Sequence, residues 1–266
     1  MDEKSKELSI IVYSCFRNND MWEIFSIMFK KYWMDCKYKV YLLTDRYEGE
    51  YDYAFDDVIC IDATWEEMIK TAIKKIHVPY VMLFMDDYLL YRQVNNCDIE
   101  NALNILKKER AANIRLTYSS MVKPKNYPEN ADCKRYVMGT AYSLSTQVGI
   151  WDASFLEKVI KPGWSAWDFE RIGSMECRNF GQPILQLMKY SFPYVEGVRK
   201  GKWLPQGIKT CNQNGISLDF SKRNRMSNIE YFIALFKGKI ISINPNIIIT
   251  LQNKLNQFKK HSIDKR

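Results

Sequence analysis

Apolar runs of strand length alternate with stretches of helical periodicity through the first half of the chain. The strand-like runs are residues 8–16, 38–45, 58–62 and 80–85. Between them, apolar side chains recur every three or four positions, which predicts two helices. The first begins behind a cap at Asn19 or Asp20, and the second behind a capping box of Thr64 and Glu67. The resulting β-α-β-β-α-β order is typical of an α/β domain.

Weaker patterns in the rest of the chain predict shorter elements. The predicted elements are a helix capped by Asp98, a strand at 113–120, a loop at 123–136, a strand at 141–146, a helix capped by Ser154 and Glu157, a hairpin at 197–203, a helix from Ser227 to Gly238 and a second C-terminal helix from Asn244. We expect a domain at 1–225, followed by basic amphipathic helices at 226–266.

Two adjacent carboxylates, Asp86 and Asp87, follow the apolar run "YVMLFM". A bare "DD" after a strand often does no more than end the strand and begin a turn. Here, however, it follows the fourth strand of the α/β pattern, and open α/β sheets bind ligands at the carboxyl ends of their strands. The position therefore favours a ligand site.

Composition limits the class of protein. The chain has 266 residues, of which 47% are hydrophobic, enough to bury the core of one large domain or of a domain with an appendage. The apolar runs are far shorter than a membrane-spanning helix, and the start "MDEKSKELS" does not resemble a signal peptide. We therefore expect a cytoplasmic protein.

Several chemistries lack the residues they require. The seven cysteines are widely spaced, without a CxxC pair, and only His77 and His261 are histidines. That argues against disulfide frameworks, His-rich zinc sites and a Ser-His-Asp triad. The P-loop, the Rossmann glycine fingerprint and the GxSxG elbow are also missing. Any metal would be held mainly by oxygen.

Positive charge is concentrated in the last third of the chain. Residues 189–266 hold 15 Lys and Arg against 4 Asp and Glu. Such a surface suits phosphate groups, an anionic membrane or nucleic acid, although a merely soluble surface has the same composition.

The order of motifs "YVMLFMDDYLLYRQVN", "YSLSTQVGIWDASFLEKVI", "WSAWDFERIGS" and "GVRKGKW" resembles a GT-A-type bacterial glycosyltransferase of surface-polysaccharide (capsule or O-antigen) synthesis. The resemblance covers roughly residues 8–205. It implies a GT-A-like, Rossmann-like mixed sheet flanked by helices. It also implies sugar transfer from a nucleotide-sugar donor to a hydroxyl of a glycan or lipid-linked acceptor.

The resemblance also implies a donor site. In such enzymes an acidic motif at this strand end binds a metal and the donor phosphates, here through Asp86 and Asp87 with Mn²⁺ or Mg²⁺. This chain lacks the second Asp of an Asp-x-Asp motif, so Asp87 either holds a metal or contacts a sugar or ribose hydroxyl directly. The residues expected to hold the nucleoside are Ser14, Arg17, Asn18 and Asp45. Lys200 and Lys202 are placed to close over the diphosphate or to form a solvated turn.

The segment "PGWSAWDFERIGS" carries the candidate base. Ser165 and Asp168 form a predicted capping box, which leaves Glu170 as the free carboxylate. We expect Glu170 to take the proton of the acceptor hydroxyl, with Asp168 as second candidate, unless both acids only complement the helix dipole. Expected acceptor contacts are Gln147, Trp151 and Trp167, although tryptophans of this kind also pack in cores.

The C-terminal helices are apolar on one side and basic on the other, a pattern suited to lying on an anionic membrane or to packing on the domain. The favoured interpretation is an inverting glycosyltransferase, peripheral to the inner face of the membrane. The alternatives are a nucleotidyltransferase and a nucleic-acid-binding protein that uses the basic last third.

Overall fold

The chain forms one large mixed β-sheet with helices on both faces. A computed structural model describes residues 5–48, 53–118 and 121–243, apart from the side chains of Lys237 and Ile241. The strands are β1 (Ser5–Tyr13), β2 (Tyr38–Thr44), β3 (Asp57–Cys60), β4 (Tyr80–Met85), β5 (Tyr88–Leu90), β6 (Asn113–Arg115), β7 (Lys125–Asn126), β8 (Cys133–Arg135), β9 (Gly149–Asp152), β10 (Ile184–Leu187), β11 (Tyr194–Glu196), β12 (Val198–Arg199) and β13 (Lys202–Trp203).

The helices differ widely in length. They are α1 (Asp20–Tyr32), α2 (Trp65–Ile76), α3 (Asn96–Lys108), α4 (Ala153–Val159), α5 (Ala166–Asp168), α6 (Ser174–Glu176), α7 (Pro205–Gln213) and α8 (Asn228–Ile243). A π-helical turn, Phe169–Gly173, joins α5 to α6, and 3-10 turns occur at Phe16–Asn18 and Cys177–Asn179. Within the described residues, no helix combines the length and the apolar character needed to cross a membrane.

The strand order brings the ends of several strands, and the loops that follow them, to one edge of the sheet. The order is β3-β2-β1-β4-β9-β6-β10-β8-β7. β1 runs parallel to β2 and β4, whereas β9 is antiparallel to β4 and β6. The carboxyl ends of β1, β2 and β4 therefore meet the amino end of β9. This is the edge at which open α/β sheets bind ligands.

Two hydrophobic clusters pack on the two faces of the sheet. Alternate residues of β4 point to opposite faces: Met82 and Phe84 join a cluster with α1 and α3, which we name the α1 cluster. Val81 and Leu83 join a cluster with α2, α4 and the π-helical turn, which we name the α2 cluster. The sheet thus has two separately packed sides, and β1, β2, β9 and β10 contribute side chains to both clusters as β4 does.

The predicted β-α-β-β-α-β order is confirmed by β1, α1, β2, β3, α2 and β4. The capping box of α2 is also confirmed, because the backbone N–H of Thr64 donates to Oε2 of Glu67 at 3.0 Å. These elements were predictable because their periodicity and their caps indicate the same structure.

The predicted strand at 141–146 is wrong. Tyr142 lies in the left-handed region, with φ of 64°. The backbone N–H groups of Tyr142 and Leu144 donate to Glu170 O and Ser174 Oγ, both at 2.8 Å, rather than to a neighbouring strand. The segment is apolar because it is buried, and burial alone does not distinguish a strand from a packed loop.

Two predicted helix caps are shifted by two or three residues. Asn95, not Asp98, caps α3 by accepting a hydrogen bond from Cys97 N at 3.0 Å. Asp152, not Ser154, caps α4 by accepting from Phe155 N at 2.9 Å. In each case an Asn or Asp in extended backbone before the helix takes the cap, and the predicted residue falls within the first turn.

Other boundaries also differ from the prediction. The loop at 123–136 contains β7 and β8, and α7 was not predicted. Among the described residues of the strand predicted at 113–120, only those of β6 are in a strand. Helix α8 continues through Gly238 to Ile243, because one glycine inside a helix costs only about 1 kcal/mol. The helix predicted from Asn244 lies outside the described residues.

Candidate active site

The carboxylate pair after β4 lies beside the end of β1. Tyr13 is the register partner of Met85, so Ser14 leaves β1 where Asp86 leaves β4. The Ser14 hydroxyl donates to Oδ2 of Asp86, and the indole N–H of Trp22 donates to Ser14 Oγ at 2.7 Å. Parallel strand pairing therefore fixes a buried chain of hydrogen bonds that ends on Asp86.

A buried arginine from the C-terminal part of the chain lies on another side of Asp86. Nε of Arg223 donates to Oδ2 of Asp20 at 3.1 Å, and Nη2 donates to Oδ1 of Asp20 at 2.8 Å and to Oδ1 of Asn18 at 3.1 Å. The Asn18 side chain in turn hydrogen-bonds to Asp86. Sequence reasoning missed Arg223, which lies in the stretch "KRNR". Such a stretch has the pattern of a solvated surface.

The two carboxylates are in an unfavourable environment. Burial raises the pKa of Asp86 to about 7, opposed by the Ser14 hydrogen bond and the Arg223 charge. Burial, followed by the charges of Asp86 and Glu196, raises the pKa of Asp87 well above its usual range. Oδ1 of Asp87 is enclosed and accepts no hydrogen bond from any residue that the structure describes. Such an oxygen costs about 1–3 kcal/mol, so the site favours a ligand that donates to it.

The end of β2 anchors the loop that follows β1. Oδ1 of Asp45 accepts from the backbone N–H of Phe16 at 2.6 Å and from the Thr44 hydroxyl at 3.2 Å. Arg17, on the same 3-10 turn, is exposed. The Arg46 guanidinium lies 4.8 Å from the centre of the Phe16 ring, a planar pair that sequence reasoning missed. Asp45 thus positions the loop, whose half-buried Phe16 ring contacts both Arg46 and Trp22.

Glu170 lies on the π-helical turn and binds a loop through one oxygen. Its Oε1 accepts from Ser145 Oγ at 2.9 Å, from Thr146 N at 2.7 Å and from Thr146 Oγ1 at 3.0 Å. The expectation of a carboxylate without structural bonds is therefore wrong for Oε1. Among the described residues, none donates a hydrogen bond to Oε2. Glu170 is half-buried, so one oxygen is fixed and the other is open to a substrate.

The loop that holds Glu170 is itself held by a fully buried arginine. Nη2 of Arg115 donates to the carbonyl oxygens of Tyr142 and Ser143, both at 2.7 Å. The Arg115 guanidinium also lies 4.0 Å from the centre of the Tyr136 ring. π-Helical turns and left-handed non-glycine residues such as Tyr142 both concentrate at functional sites. The backbone around Glu170 is thus strained, and the hydrogen bonds from Arg115 hold the neighbouring loop in place.

Asp168 has the structural role that its spacing predicts. Its Oδ2 accepts from the backbone N–H of Ser165 at 3.1 Å and from the Ser165 hydroxyl at 2.6 Å, which confirms the capping box. Although burial acts in the opposite direction, the hydrogen bonds from Ser165 and the charge of Arg171 lower the pKa of Asp168. The Asp168 carboxylate is therefore occupied by its contacts with Ser165 and Arg171.

Tyr88 and Gln147 lie between Asp87 and Glu170. Nε2 of Gln147 donates to the Tyr88 hydroxyl at 3.1 Å, and the Tyr194 hydroxyl donates to Oε1 of Gln147. Burial raises the pKa of Tyr88 well above its usual range, and the charges of Tyr194, Asp87 and Glu170 add to the effect. Both carboxylates therefore lie within electrostatic reach of one hydroxyl.

The two candidate tryptophans have different environments. Trp151 is fully buried between the rings of Phe155 and Phe169. The prediction that it contacts an acceptor is therefore wrong. Trp151 lies on β9, where it fills the α2 cluster. Trp167 is 64% exposed on α5, three residues before Glu170. Only Trp167 offers a ring face to a ligand.

The predicted lysine hairpin is formed by β12 and β13. Lys200 and Gly201 have φ of 52° and 72°, as a tight type I′ turn requires. Lys200 is exposed, whereas Nζ of Lys202 lies 2.5 Å from Oε1 of Glu230. Just before the hairpin, Gly197 N donates to the carbonyl oxygen of Asp87 at 2.7 Å. The hairpin is thus fixed beside the carboxylate pair, with Lys202 directed to α8.

The residues at the pair fit the predicted divalent cation poorly. Within the part of the chain that the structure describes, no three His, Cys, Asp or Glu side chains are grouped to hold a metal ion. Asp86 accepts from Ser14 and Asn18 and lies beside the Arg223 charge, and Oδ1 of Asp87 is the enclosed oxygen without a hydrogen bond from the described residues. Mn²⁺ and Mg²⁺ prefer several oxygen ligands in regular geometry. A metal here stays a prediction.

The fold is similar to that of TarS from S. aureus. The structure of TarS 1-349 in complex with UDP-GlcNAc matches with a TM-score of 0.50 at 13% identity, covering 74% of this chain and 60% of that chain. The complex with UDP gives a TM-score of 0.48 at 12% identity, covering 71% and 59%. No protein-family model and no curated protein matches the sequence. The likeness establishes the predicted GT-A-like fold, and the chain spans about three fifths of the TarS chains.

Proposed function

We propose that this protein is a glycosyltransferase that moves a sugar from a UDP-linked donor to a hydroxyl of a cell-surface glycan, with inversion. The observation that carries the proposal is the enclosed Oδ1 of Asp87, which accepts no hydrogen bond from the described residues and belongs to a carboxylate whose charge, like that of Glu170, acts on the Tyr88 hydroxyl. A donor sugar with hydroxyl groups supplies the hydrogen bond that this oxygen lacks. The S. aureus TarS structure with the same fold contains UDP-GlcNAc, which supports a UDP-sugar as donor.

The loops after β1 and β2 form the nucleoside side of the site. Asp45 fixes the backbone there, Asn18 is held by Arg223, and the Phe16 ring with the Arg46 guanidinium gives a surface for a planar base. The diphosphate then lies beside Asp86 and Asp87, and the sugar points toward Tyr88. The strand order supports this arrangement, since β2, β1 and β4 are neighbours.

Glu170 is the proposed base. An acceptor hydroxyl loses its proton to Oε2 of Glu170 while its oxygen attacks the anomeric carbon of the sugar. The bond from that carbon to the phosphate oxygen breaks, and UDP leaves with the electron pair. The three hydrogen bonds to Oε1 orient the carboxylate for this step. Trp167 and Gln147 are the proposed contacts for the acceptor glycan, for which a lipid-linked sugar is the favoured form.

Donor binding should stabilise the folded protein against heat. At about 100 times its Kd, a UDP-sugar adds about 2.7 kcal/mol, or a rise in Tm of roughly 5–10 °C for a chain of this size. Differential scanning fluorimetry with UDP-, GDP-, CMP- and dTDP-sugars, with and without Mn²⁺, measures this shift. We expect UDP-sugars to give the largest rise. Equal shifts with all of them, or tight salt-sensitive binding of RNA without any shift, would contradict the proposal.

We also propose that α8 places the enzyme on an anionic membrane surface. Seven large apolar side chains of α8 are exposed, among them Phe232 at 70%. The start of the helix is tied to the hairpin by Glu230 and Lys202, which leaves these side chains uncovered by the described residues. The basic last third of the chain supplies the charge that an anionic bilayer attracts.

Vesicle flotation tests the membrane proposal. We expect the protein to float with vesicles containing phosphatidylglycerol but not with pure phosphatidylcholine, because the charge contributes to binding. The triple variant Ile229→Ser/Phe232→Ser/Phe236→Ser should lose flotation. The control Met34→Ser, which removes an exposed apolar side chain far along the chain from α8, should keep it. The proposal is overturned if the triple variant floats as well as the parent protein. It is also overturned if the parent protein does not bind vesicles and instead forms a dimer through α8.

A further inference from the structure

We propose that Arg223 is the residue that binds the donor diphosphate and neutralises the departing UDP, in the place expected for a divalent metal. This inference rests on the proposed function, because it assigns a residue to the donor side of that site.

The geometry of Arg223 is that of a fixed phosphate ligand with unused donors. Two edges of its guanidinium are held by Asp20 and Asn18. Nη1, with two N–H groups, has no hydrogen-bond acceptor among the described residues. The side chain is only 7% exposed, so it has little freedom to move away. A guanidinium whose Nε and Nη2 are fixed in this way can donate through both N–H groups of Nη1 to diphosphate oxygens while it stays paired with Asp20.

The backbone around Arg223 is held as firmly as the side chain. Trp203 N donates to the carbonyl oxygen of Asn224, and Met226 N donates to the carbonyl oxygen of Trp203, both at 2.9 Å. The segment therefore pairs with β13, and Trp203 is fully buried in the α1 cluster. The core of the domain thus positions a residue that is about 200 positions away from Asn18 in sequence.

The surrounding charges explain why the arginine lies there without a ligand. Asp20 pairs with it directly, and Asp86 and Asp87 lie close enough for the guanidinium to act on them. A donor diphosphate brings more negative charge to this place. The positive charge of Arg223 is permanent, so it can accept the charge that develops as the bond to the anomeric carbon breaks.

The lysines of the hairpin are less suited to this role. Lys202 is paired with Glu230, and Lys200 is exposed on the turn. A divalent ion beside Asp86 would lie next to the fixed guanidinium, which repels it. Arg223 therefore replaces the metal in the geometry of this site.

Calorimetric titration of the full chain with UDP and with uridine in EDTA tests the assignment. Arg223→Gln should weaken UDP binding about 10- to 100-fold and leave uridine binding within about twofold, because only UDP carries the diphosphate. Arg223→Lys should fall between the two, since an ammonium keeps the charge but cannot hold Asp20 and Asn18 and donate to the diphosphate with fixed geometry as the guanidinium does. The control Arg225→Gln, whose guanidinium stacks on Phe220 at 3.8 Å, should bind UDP like the parent protein.

The outcomes separate the two proposals. If the parent protein binds UDP in EDTA and Arg223→Gln binds it equally well, the assignment of Arg223 is wrong while the proposed function stands. If the parent protein binds UDP only with Mn²⁺, a metal ion neutralises the diphosphate and the assignment of Arg223 is wrong. If it binds none of UDP, GDP, CDP and dTDP under either condition, both proposals fail. Melting curves of each variant show that loss of binding is not loss of folding.

Discussion

Replacing Glu170 by glutamine should stop sugar transfer and leave donor binding intact. The amide oxygen of glutamine can still accept the hydrogen bonds from Ser145 and Thr146, so the loop should keep its position. Glutamine cannot take a proton from an acceptor hydroxyl, so kcat should fall by about 10²- to 10⁴-fold. Release of UDP from a UDP-sugar in the presence of acceptor gives kcat, and calorimetry with UDP gives the donor affinity.

Asp168→Asn is the matched control, because Asp168 is the neighbouring acid with the opposite expected role. The substitution weakens the capping box with Ser165 and the ion pair with Arg171. The free energy of unfolding should therefore fall by about 1 kcal/mol, and Tm by a few degrees. At a temperature where both variants are folded, kcat should stay within about twofold of the parent value. If Asp168→Asn stops sugar transfer and Glu170→Gln does not, then Asp168 is the base and Glu170 has the structural role.

Asp87→Asn should make the protein more stable and less able to bind its donor. In the free protein, Asp87 is buried beside Asp86 and Glu196, and its Oδ1 has no partner among the described residues. A neutral amide removes the repulsion and still accepts the backbone hydrogen bonds to the carboxylate, so Tm should rise by a few degrees. A donor hydroxyl loses its charged acceptor, so UDP-sugar affinity should fall by about 10- to 100-fold.

Asp86→Asn provides the contrast for this prediction. Asp86 accepts hydrogen bonds from Ser14 and Asn18 and faces the Arg223 charge, so an amide group there places N–H donors against donors. Its Tm should fall rather than rise. If Asp87→Asn also lowers Tm, or leaves donor affinity unchanged, then Asp87 is a structural carboxylate and the donor site lies elsewhere.

The parts of this fold that the sequence predicts are those in which nearby residues decide the structure. The alternation from β1 to β4, the Thr64 capping box and the Ser165 capping box all depend on side chains within a few positions of each other. The position of Asp86 and Asp87 at a ligand-binding edge also follows from element order alone. The fold class could therefore be predicted from local patterns.

The parts that the sequence does not predict depend on contacts between distant segments. Arg223 contacts Asn18 across about 200 residues, and no local pattern distinguishes it from the surface residue Arg225. Trp151 and Trp167 both looked like possible sugar contacts, but the strand order buries the first and exposes the second. The bonds between Glu170 and the loop at 145–146 likewise arise from a fold in which an apparent strand is a packed loop.

The two hydrophobic clusters divide the proposed chemistry between the faces of one sheet. The donor side, with α1, Trp203 and the segment of Arg223, is built on the α1 cluster, whereas Phe169, which precedes Glu170, is packed in the α2 cluster. Substitutions that repack one face can therefore change one half of the reaction without disturbing the other. Such a division would let acceptor preference change through the α2 side while the nucleotide side keeps its packing, with the strands of the sheet, β4 among them, separating the two.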